Sequence, residues 1–327
     1  MKESDIRDRN AHNTYLDLVE QDAAVLANDL PRLVEVDCPA CGGSRHETAF
    51  DKSGFTYRLC DDCGTLFTSP RPTQDALTRF YTGSPSTRFW VDDFFRPMAE
   101  ARRMRIFRPR AQLIADRFPE LSQARVGDVG AGFGLFLEEL RARWPDASLS
   151  AIEPSPEMAA ICREKRLPVV ESIVEELDPA EHQFDLLTLF ELFEHFQDPR
   201  ASLKRIRDLL APDGYLFLTT LNGEGFDIQL FWAKAKAVFP PHHLNFANPR
   251  SITTLLERTG FEVIETSTPG ELDWDIVEGA YRVDDVDPGR FFASVAEHAS
   301  PDAKRALQRW ISDSGFSSHM RVIARRA

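Results

Sequence analysis

The sequence predicts an α/β fold, a doubly wound seven-stranded sheet with an antiparallel last strand, preceded by a small cysteine-rich module. Three observations support this prediction. Strand-like and helix-like segments alternate between residues 122 and 270, as in a sheet that carries helices on both faces. A glycine-rich turn at residues 130–134 joins a strand to a helix near the start of this region. The apolar stretch 317–324 near the end of the chain reads as one more strand.

Length and composition restrict the class of protein. A chain of 327 residues can hold one large domain and a small one, and 43% hydrophobic residues are enough for a core. The net charge of −13 disfavours nucleic acid as a partner, although a local basic patch could still bind it. No apolar run is long enough for a membrane span, and the first ten residues are too polar for a secretory signal. We therefore predict a cytoplasmic protein.

The first 69 residues divide into two parts. Residues 1–35 read as a helical segment to which we assign no chemistry. Residues 36–69 contain two Cys-x-x-Cys-Gly motifs separated by eighteen residues, and their four cysteines are Cys38, Cys41, Cys60 and Cys63. This spacing is typical of a zinc ribbon, and a closed set of four thiolates indicates a structural zinc. A redox dithiol is the alternative, but nothing around the motifs is thioredoxin-like.

Residues 70–121 are predicted to form a helical linker. A long helix over residues 92–118, with a kink at Pro109, carries a run of seven arginines that includes Arg102 and Arg110. Such a run is usually a solvated helix face. Its functional alternative is an anion site for a phosphate on the substrate.

The glycine turn at 130–134 is the first candidate ligand site. Gly130, Gly132 and Gly134 let a ligand approach the backbone, but their spacing departs from the fingerprint for dinucleotides. Asp128, just before the glycines, suits a cationic amine better than a pyrophosphate. A ligand with an ammonium group, a ribose and no phosphate is S-adenosylmethionine.

The segment Asp128-Val-Gly-Ala-Gly-Phe-Gly134 resembles motif I of the Rossmann-fold S-adenosylmethionine-dependent methyltransferases. The resemblance implies that Glu153, at the end of the second strand, binds the ribose hydroxyls, and that Ser172, after the third strand, lies at the adenine. The segment 191–199, Glu-Leu-Phe-Glu-His-Phe-Gln-Asp-Pro, resembles the signature that follows strand four in methyltransferases of the ubiquinone-biosynthesis type. We assign Glu191 to the cofactor site as well.

Residues 240–246, Pro-Pro-His-His-Leu-Asn-Phe, are named the acceptor loop here because they follow strand five at the edge where such sheets bind ligands. An oxygen or carbon nucleophile needs a base, and histidine titrates near neutral pH. His242 and His243 are the candidate bases, as a similar loop in sugar C-methyltransferases implies. One of them could instead pack the loop. His195 is a third candidate, for which we favour a structural role beneath the methyl donor.

The resemblance covers residues 36–267 and the final strand. It defines a methyltransferase domain over 122–327, interrupted by a helical insertion at 268–315 that the family pattern does not include.

The sequence thus favours a methyltransferase that acts on a small molecule. Its acceptor would be a sugar nucleotide, a saccharide or a secondary-metabolite intermediate, with a phosphorylated acceptor as one option. Two alternatives stay open: an RNA methyltransferase in which the ribbon holds RNA, and a non-catalytic protein that binds S-adenosylmethionine. The oligomeric state does not follow from the sequence.

Overall fold

The computed structural model describes residues 2–29 and 32–327, so Met1, Leu30 and Pro31 of the predicted helical segment 1–35 lie outside the described residues. The strands are β1 (Leu33–Val34), β2 (His46–Lys52), β3 (Phe55–Cys60), β4 (Leu66–Thr68), β5 (Arg71–Pro72), β6 (Arg125–Val129), β7 (Ser148–Ile152), β8 (Val169–Val170), β9 (Phe184–Phe190), β10 (Leu210–Leu221), β11 (Asn245–Phe246), β12 (Phe261–Ser267) and β13 (His319–Arg326).

The α-helices alternate with the strands of the second half of the chain and also flank it at both ends. They are α1 (Arg9–Ala27), α2 (Gln74–Gly83), α3 (Pro85–Phe89), α4 (Arg96–Arg102), α5 (Arg108–Arg117), α6 (Leu135–Arg141), α7 (Pro156–Glu164), α8 (Pro199–Leu209), α9 (Phe226–Phe231), α10 (Pro249–Arg258), α11 (Asp273–Val283), α12 (Arg290–His298) and α13 (Pro301–Asp313).

The central sheet has seven strands in the order β12-β13-β10-β9-β6-β7-β8. Strands β8, β7, β6, β9 and β10 run parallel, and β13 is antiparallel to both β10 and β12. The predicted fold class is confirmed. Strand β13 lies between β10 and β12 and is hydrogen-bonded to both.

Both faces of the central sheet are covered by apolar clusters, because successive side chains of a strand point to opposite faces. Leu216 and Leu218 of β10 pack on the face that also buries Leu203 and Ile252 of α8 and α10. Phe217, between them, packs on the opposite face with residues of α5 and α6. Burial on both faces explains why the central strands read as near-continuous apolar runs.

A second sheet, called the ribbon sheet here, has the order β11-β4-β3-β2. Strands β2, β3 and β4 come from the cysteine-rich segment, but β11 comes from the acceptor loop, with Phe67 opposite Asn245 and Leu66 opposite Phe246. Phe67 is fully buried in the same apolar cluster as the central-sheet residue Leu187. The ribbon sheet and the central sheet therefore share a core.

The arginine-rich helix is longer than expected. It runs without interruption from Pro85 to Arg117, because two π-helical segments, Trp90–Phe95 and Arg103–Phe107, join α3, α4 and α5. The second segment ends directly before α5, in which Pro109 cannot donate a backbone hydrogen bond. Such π-helical turns are frequent at functional sites.

The segment predicted to be an insertion, residues 268–315, contains α11, α12 and α13. Trp274 and Val277 of α11 pack against Phe231 and Val238 from the segment after β10. Among the described residues, none of the helices combines the length and apolar composition that a bilayer span requires.

We predict that Phe67→Ala will destabilise both sheets together. Phe67 is fully buried in the shared core, and truncating a buried phenylalanine costs about 3–5 kcal/mol. Urea unfolding followed by circular dichroism and by tryptophan fluorescence should show one transition with a lower midpoint. Val25→Ala is the control, because Val25 is 76% exposed. Separate transitions for the two probes would contradict a shared core.

Candidate cofactor and acceptor site

The glycine turn lies at the carboxyl end of β6, and its glycines serve different purposes. Gly130, Gly132 and Gly134 all have positive φ angles, of 71°, 54° and 67°. A Cβ on Gly134 would lie 2.5 Å from a Leu167 methyl carbon, so this glycine permits close packing. A Cβ on Gly132 would meet no atom within 4 Å. The turn therefore leaves open space at Gly132, where a ligand can approach the backbone.

Two buried carboxylates lie against this turn. The Asp128 Oδ1 accepts a hydrogen bond from the Thr188 hydroxyl at 2.6 Å. The two Glu153 oxygens accept from the backbone N–H groups of Gly132, at 2.7 Å, and Ser155, at 2.9 Å. Burial raises the pKa of Asp128 to about 7, and that of Glu153 also to about 7. Both groups lie where the sequence placed the cofactor.

Glu191 lies at the end of β9 in a strained backbone conformation, with φ at 51°. Its Oε1 accepts from the Thr219 hydroxyl at 2.7 Å and from the Arg110 guanidinium at 2.8 Å, and it lies 3.4 Å from the His319 Nδ1. Burial raises the pKa of this carboxyl, but His319 and Arg110 outweigh burial and hold the pKa well below its usual range. Glu191 is therefore a carboxylate surrounded by hydrogen-bond donors.

Sequence reasoning missed Arg110 and His319 as individual site residues. Arg110 was only one member of the arginine run, yet its guanidinium stacks on the Phe190 ring at 4.8 Å beside the cofactor region. His319 opens β13 opposite Leu221, the last residue of β10. The sequence could have indicated His319, because an antiparallel last strand begins at the edge of the sheet where the parallel strands end.

Ser172 follows the short edge strand β8. Its hydroxyl contacts the Ile173 carbonyl oxygen and the Glu176 carboxylate, both at 3.2 Å. Glu153 directly follows the neighbouring strand β7, and its backbone N–H donates to the Val170 carbonyl at 3.0 Å. Ser172 therefore shares the edge of the sheet with Glu153, and its assignment to adenine stays a prediction.

His242 is buried among aromatic rings. Its ring centroid lies 4.8 Å from that of Phe80, 5.3 Å from Tyr81 and 5.6 Å from Phe239. Its Nε2 is 3.3 Å from the Tyr15 hydroxyl of α1. Burial, and to a smaller extent the neighbouring His195, lowers the pKa of His242 well below its usual value, so the ring is neutral.

His243 points to a different set of groups. Its Nδ1 lies 2.6 Å from the Ala237 carbonyl oxygen, which can only accept, so Nδ1 carries the proton and Nε2 keeps a lone pair. Its ring lies 4.8 Å from that of His195. Burial lowers the pKa of His243 well below its usual value. The two adjacent histidines, which the sequence treated as a pair, are therefore not equivalent.

Glu194 and His195 complete a polar cluster with His243. The Glu194 carboxyl accepts from the Thr220 hydroxyl at 2.7 Å, and the His195 Nδ1 lies 3.1 Å from the Tyr81 hydroxyl. Burial and the nearby Glu191 raise the pKa of Glu194 to about 8, whereas burial lowers that of His195 to about 4.

The ligand atoms of Glu194, His195 and His243 lie within 4.8 Å of one another. One carboxylate and two imidazoles are ligands that several divalent transition metals bind, so this cluster could hold a cation. The sequence did not predict this grouping, because His243 is far from the other two in the chain.

The four cysteines converge as predicted. The Cys38 and Cys63 sulfurs are 3.6 Å apart, and those of Cys41 and Cys60 are 3.5 Å apart. Zn–S bonds of about 2.3 Å in a tetrahedron require sulfurs about 3.8 Å apart, so the donor set fits zinc closely. Gly42 and Gly64, with φ angles of 71° and 72°, close the two turns. We call these four residues the cysteine cluster.

The order of the central sheet, the glycine turn and the two carboxylates beside it define a class I S-adenosylmethionine-dependent methyltransferase. A family model described as a methyltransferase domain matches residues 98–266. The chain belongs to this methyltransferase family, as the sequence motifs indicated.

Among its relatives is the ubiquinone biosynthesis O-methyltransferase of Xanthomonas euvesicatoria pv. vesicatoria, which is 33% identical over 174 residues, 48% of this chain and 70% of the relative. The enzyme of the same description from Xanthomonas axonopodis pv. citri is 33% identical over 161 residues, 45% of this chain and 66% of the relative. The chain thus spans about two thirds of the length of these relatives.

Solved structures with a similar outline include coclaurine N-methyltransferase bound to N-methylheliamine and SAH, with a TM-score of 0.47 at 16% identity over 70% of this chain and 74% of that one. The plantazolicin methyltransferase in complex with SAH has a TM-score of 0.47 at 14% identity, over 76% of this chain and 93% of that one.

We predict that the affinity for S-adenosylhomocysteine rises about tenfold as the pH increases from about 6 to about 8. The Asp128 carboxyl has a pKa of about 7, so it is protonated at the lower pH and cannot attract the cofactor's ammonium group. Calorimetry at several pH values measures the effect. Asp128→Asn should reduce the effect and leave the part due to Glu153, whose pKa is also about 7. Asp185→Asn should retain the full effect, because the Asp185 carboxyl pairs with Arg125 on the same sheet. A flat profile for the unmodified protein would count against the assignment.

We also predict one zinc ion per chain, measured by elemental analysis of protein purified without chelator. Cys60→Ser should lose the metal and lower the melting temperature, because a structural site contributes its binding energy to folding. Cys162→Ser is the matched control, since Cys162 is buried at the central sheet and bonds to the Gly132 carbonyl. Absence of zinc from the unmodified protein would refute the prediction.

Proposed function

We propose that this enzyme transfers a methyl group from S-adenosylmethionine to a hydroxyl oxygen of a small-molecule acceptor. The observation that carries the proposal is the buried cluster of Glu194, His195 and His243, next to Glu191 at the end of β9. Proton-accepting groups at this edge of the sheet are what an oxygen nucleophile requires. The relatives' description as O-methyltransferases supports the same choice.

The surroundings of the acceptor loop favour an aromatic acceptor. Tyr15, Phe80, Tyr81 and Phe239 all place their rings within 6.0 Å of His242, centroid to centroid. Aromatic side chains stack on flat rings at low conformational cost. Of the acceptors that the sequence left open, a hydroxylated aromatic secondary-metabolite intermediate therefore fits better than a saccharide or a sugar nucleotide.

The cations of the ribbon give little support to the alternative of an RNA methyltransferase. Each of these three cations is engaged within the protein. Arg45 pairs with Asp62, Arg58 donates to Thr48 and to the Ser69 carbonyl, and Lys52 donates to the Ala235 carbonyl at 3.1 Å. Phosphate binding needs free cations.

The chain's own residues would position the cofactor and exclude water. Bound S-adenosylmethionine supplies an electrophilic methyl group on a good leaving group. Asp128 would hold its ammonium group, and Glu153 would accept from the ribose hydroxyls through its remaining lone pairs. Arg110, which pairs with Glu191 in this structure, is the cation suited to the cofactor's carboxylate.

The polar cluster of Glu194, His195 and His243 would remove the proton from the acceptor hydroxyl. As the new C–O bond forms and the S–C bond breaks, the hydroxyl proton must leave the oxygen. His243 is the better candidate of the two loop histidines, because its Nδ1 is fixed as a donor to the Ala237 carbonyl and leaves Nε2 as the acceptor, whereas the Nε2 of His242 lies 3.3 Å from the Tyr15 hydroxyl. A divalent cation held by Glu194, His195 and His243 would serve the same purpose by lowering the pKa of a bound hydroxyl.

His243→Ala should lower turnover by about 10²–10⁴-fold and leave the affinity for S-adenosylhomocysteine unchanged. His242→Ala, the matched control, should have the smaller effect, because His242 packs among aromatic rings.

Product masses from a panel of catechols, phenols, saccharides and sugar nucleotides identify the acceptor. Assays with and without added Mg²⁺ or Zn²⁺ separate a base from a cation ligand. Near-normal turnover in both variants and in the double variant would place the base elsewhere, with Glu194 and His195 next.

A further inference from the structure

His319 lies where the last strand enters the cofactor side of the central sheet. It is the first residue of β13 and pairs with Leu221 at the end of β10. Its side chain is 32% exposed, and its Nδ1 lies 3.4 Å from the Glu191 Oε1, the oxygen that also accepts from Arg110 at 2.8 Å. His319 thus belongs to the same group of side chains as Arg110, the cation that the proposed function assigns to the carboxylate of the cofactor.

The position of His319 depends on the residues that precede it, 315–318, which we call the entry segment. The His319 backbone N–H donates to the Ser317 Oγ at 3.2 Å. Ser317 is completely buried, and Ser318 is 7% exposed. The place at which β13 begins is therefore set by contacts inside the protein, and these contacts determine how His319 meets Glu191.

Asp273 makes the central contacts to the entry segment. Its Oδ1 accepts from the Ser318 backbone N–H at 2.7 Å, and its Oδ2 accepts from the Ser317 hydroxyl at 2.9 Å. The same Oδ2 accepts from the Gln308 side chain of α13 at 2.7 Å. Asp273 is the first residue of α11 and is 3% exposed. It therefore links two helices of the predicted insertion to the residues directly before His319.

The neighbouring residues permit this close approach. A Cβ on Gly270 would lie 1.8 Å from the Ser317 Oγ, and a Cβ on Gly225 would lie 2.4 Å from the Ser318 Cα. Asn222, directly after β10, holds the other side of the entry segment. Its side chain donates to the Ser317 carbonyl at 2.9 Å, and its backbone N–H donates to the Ser318 carbonyl at 2.9 Å. The entry segment is thus held between the central sheet and the predicted insertion.

A carboxyl group at position 273 suits these contacts because three donors converge on it, from Ser317, Ser318 and Gln308. An asparagine of the same shape has one acceptor oxygen and an amide group that can only donate. It cannot accept from all three donors together. The choice of aspartate therefore matters for the course of the entry segment.

We propose that Asp273 is a positioning residue that holds His319 against Glu191, and that the predicted insertion thereby takes part in cofactor binding. The proposal rests on the proposed function, because it takes Arg110 as the partner of the cofactor's carboxylate. His319 shares the Glu191 oxygen with Arg110. When His319 is displaced, Arg110 is left as the main partner of Glu191 and is less free to bind a ligand carboxylate.

The test measures the affinity for S-adenosylhomocysteine by calorimetry in Asp273→Asn, His319→Ala and the double variant. His319→Ala should weaken binding about tenfold, as expected for the loss of a hydrogen bond to a charged group. Asp273→Asn should weaken binding by the same factor or less. The double variant should bind no more weakly than His319→Ala, because two residues that act through one contact have non-additive effects.

The ring signals of isotopically labelled histidine report the contact itself. The His319 signal is assigned by its absence from His319→Ala. It should shift when Glu191→Gln is introduced into the unmodified protein, and it should shift much less when the same change is made in Asp273→Asn. A loss of overall stability would not abolish this response.

Two further variants complete the comparison. Ser317→Ala removes the hydroxyl that lies between Asp273 and the His319 N–H, so it should weaken binding even if Asp273→Asn does not fold. Asp284→Asn is the matched control. Asp284 follows α11 in the predicted insertion and pairs with Lys236 at 2.9 Å and with Arg9 at 3.5 Å, so its replacement should leave the affinity unchanged.

Unchanged affinity in both Asp273→Asn and Ser317→Ala would overturn the proposal. Additive losses in the double variant, or a loss in Asp273→Asn that His319→Ala does not share, would also overturn it. The two proposals fail in different ways. If the unmodified protein does not bind S-adenosylhomocysteine, the proposed function is refuted, whereas binding that none of these variants alters refutes only the positioning role.

Discussion

The structure depends on a short antiparallel pairing, that of β4 with β11. Without β11, β4 would expose unpaired N–H and C=O groups at the edge of the ribbon sheet. Without β4, the acceptor loop would lack the bonds that fix its course, including that from the Thr68 N–H to the Leu244 carbonyl at 3.0 Å. The Tyr57 hydroxyl adds a bond to the His243 carbonyl at 2.7 Å. The ribbon sheet therefore holds the acceptor loop in place.

The candidate cofactor site contains buried carboxyl groups that are unfavourable in their charged form. Asp128 and Glu153 have raised pKa values of about 7. Between their ordinary pKa values near 4 and these raised values, the folded protein binds more protons than the unfolded chain, so their contribution to stability is lost as the pH rises through about 7. A bound cationic ligand offsets this loss. The site is thus less stable alone than when it holds a cofactor, as is common for preorganised functional sites.

The sequence was sufficient where local chemistry determines the structure. The glycine turn, the alternating elements and the spacing of the cysteines each depend on a few neighbouring residues. It was insufficient where residues distant in the chain meet. Nothing near Arg110 separates it from the other arginines of its helix, and nothing near Asp273 indicates its burial. The distinction between His242 and His243 depends on contacts outside the acceptor loop, such as those with Tyr15 and Ala237. A strand of two residues, such as β11, is too short to show the alternation of apolar and polar residues by which strands are recognised in a sequence.

Site-resolved amide hydrogen exchange at Thr68 and Leu244 tests most directly whether ribbon and acceptor loop form one unit with the central sheet. Thr68 donates to Leu244, and Leu244 donates to Glu194. If they form one unit, both amides exchange only through global unfolding, with the same opening free energy as the amide of Leu218 in the central strand β10. Exchange of Thr68 and Leu244 through a local opening, while Leu218 stays protected, would contradict it.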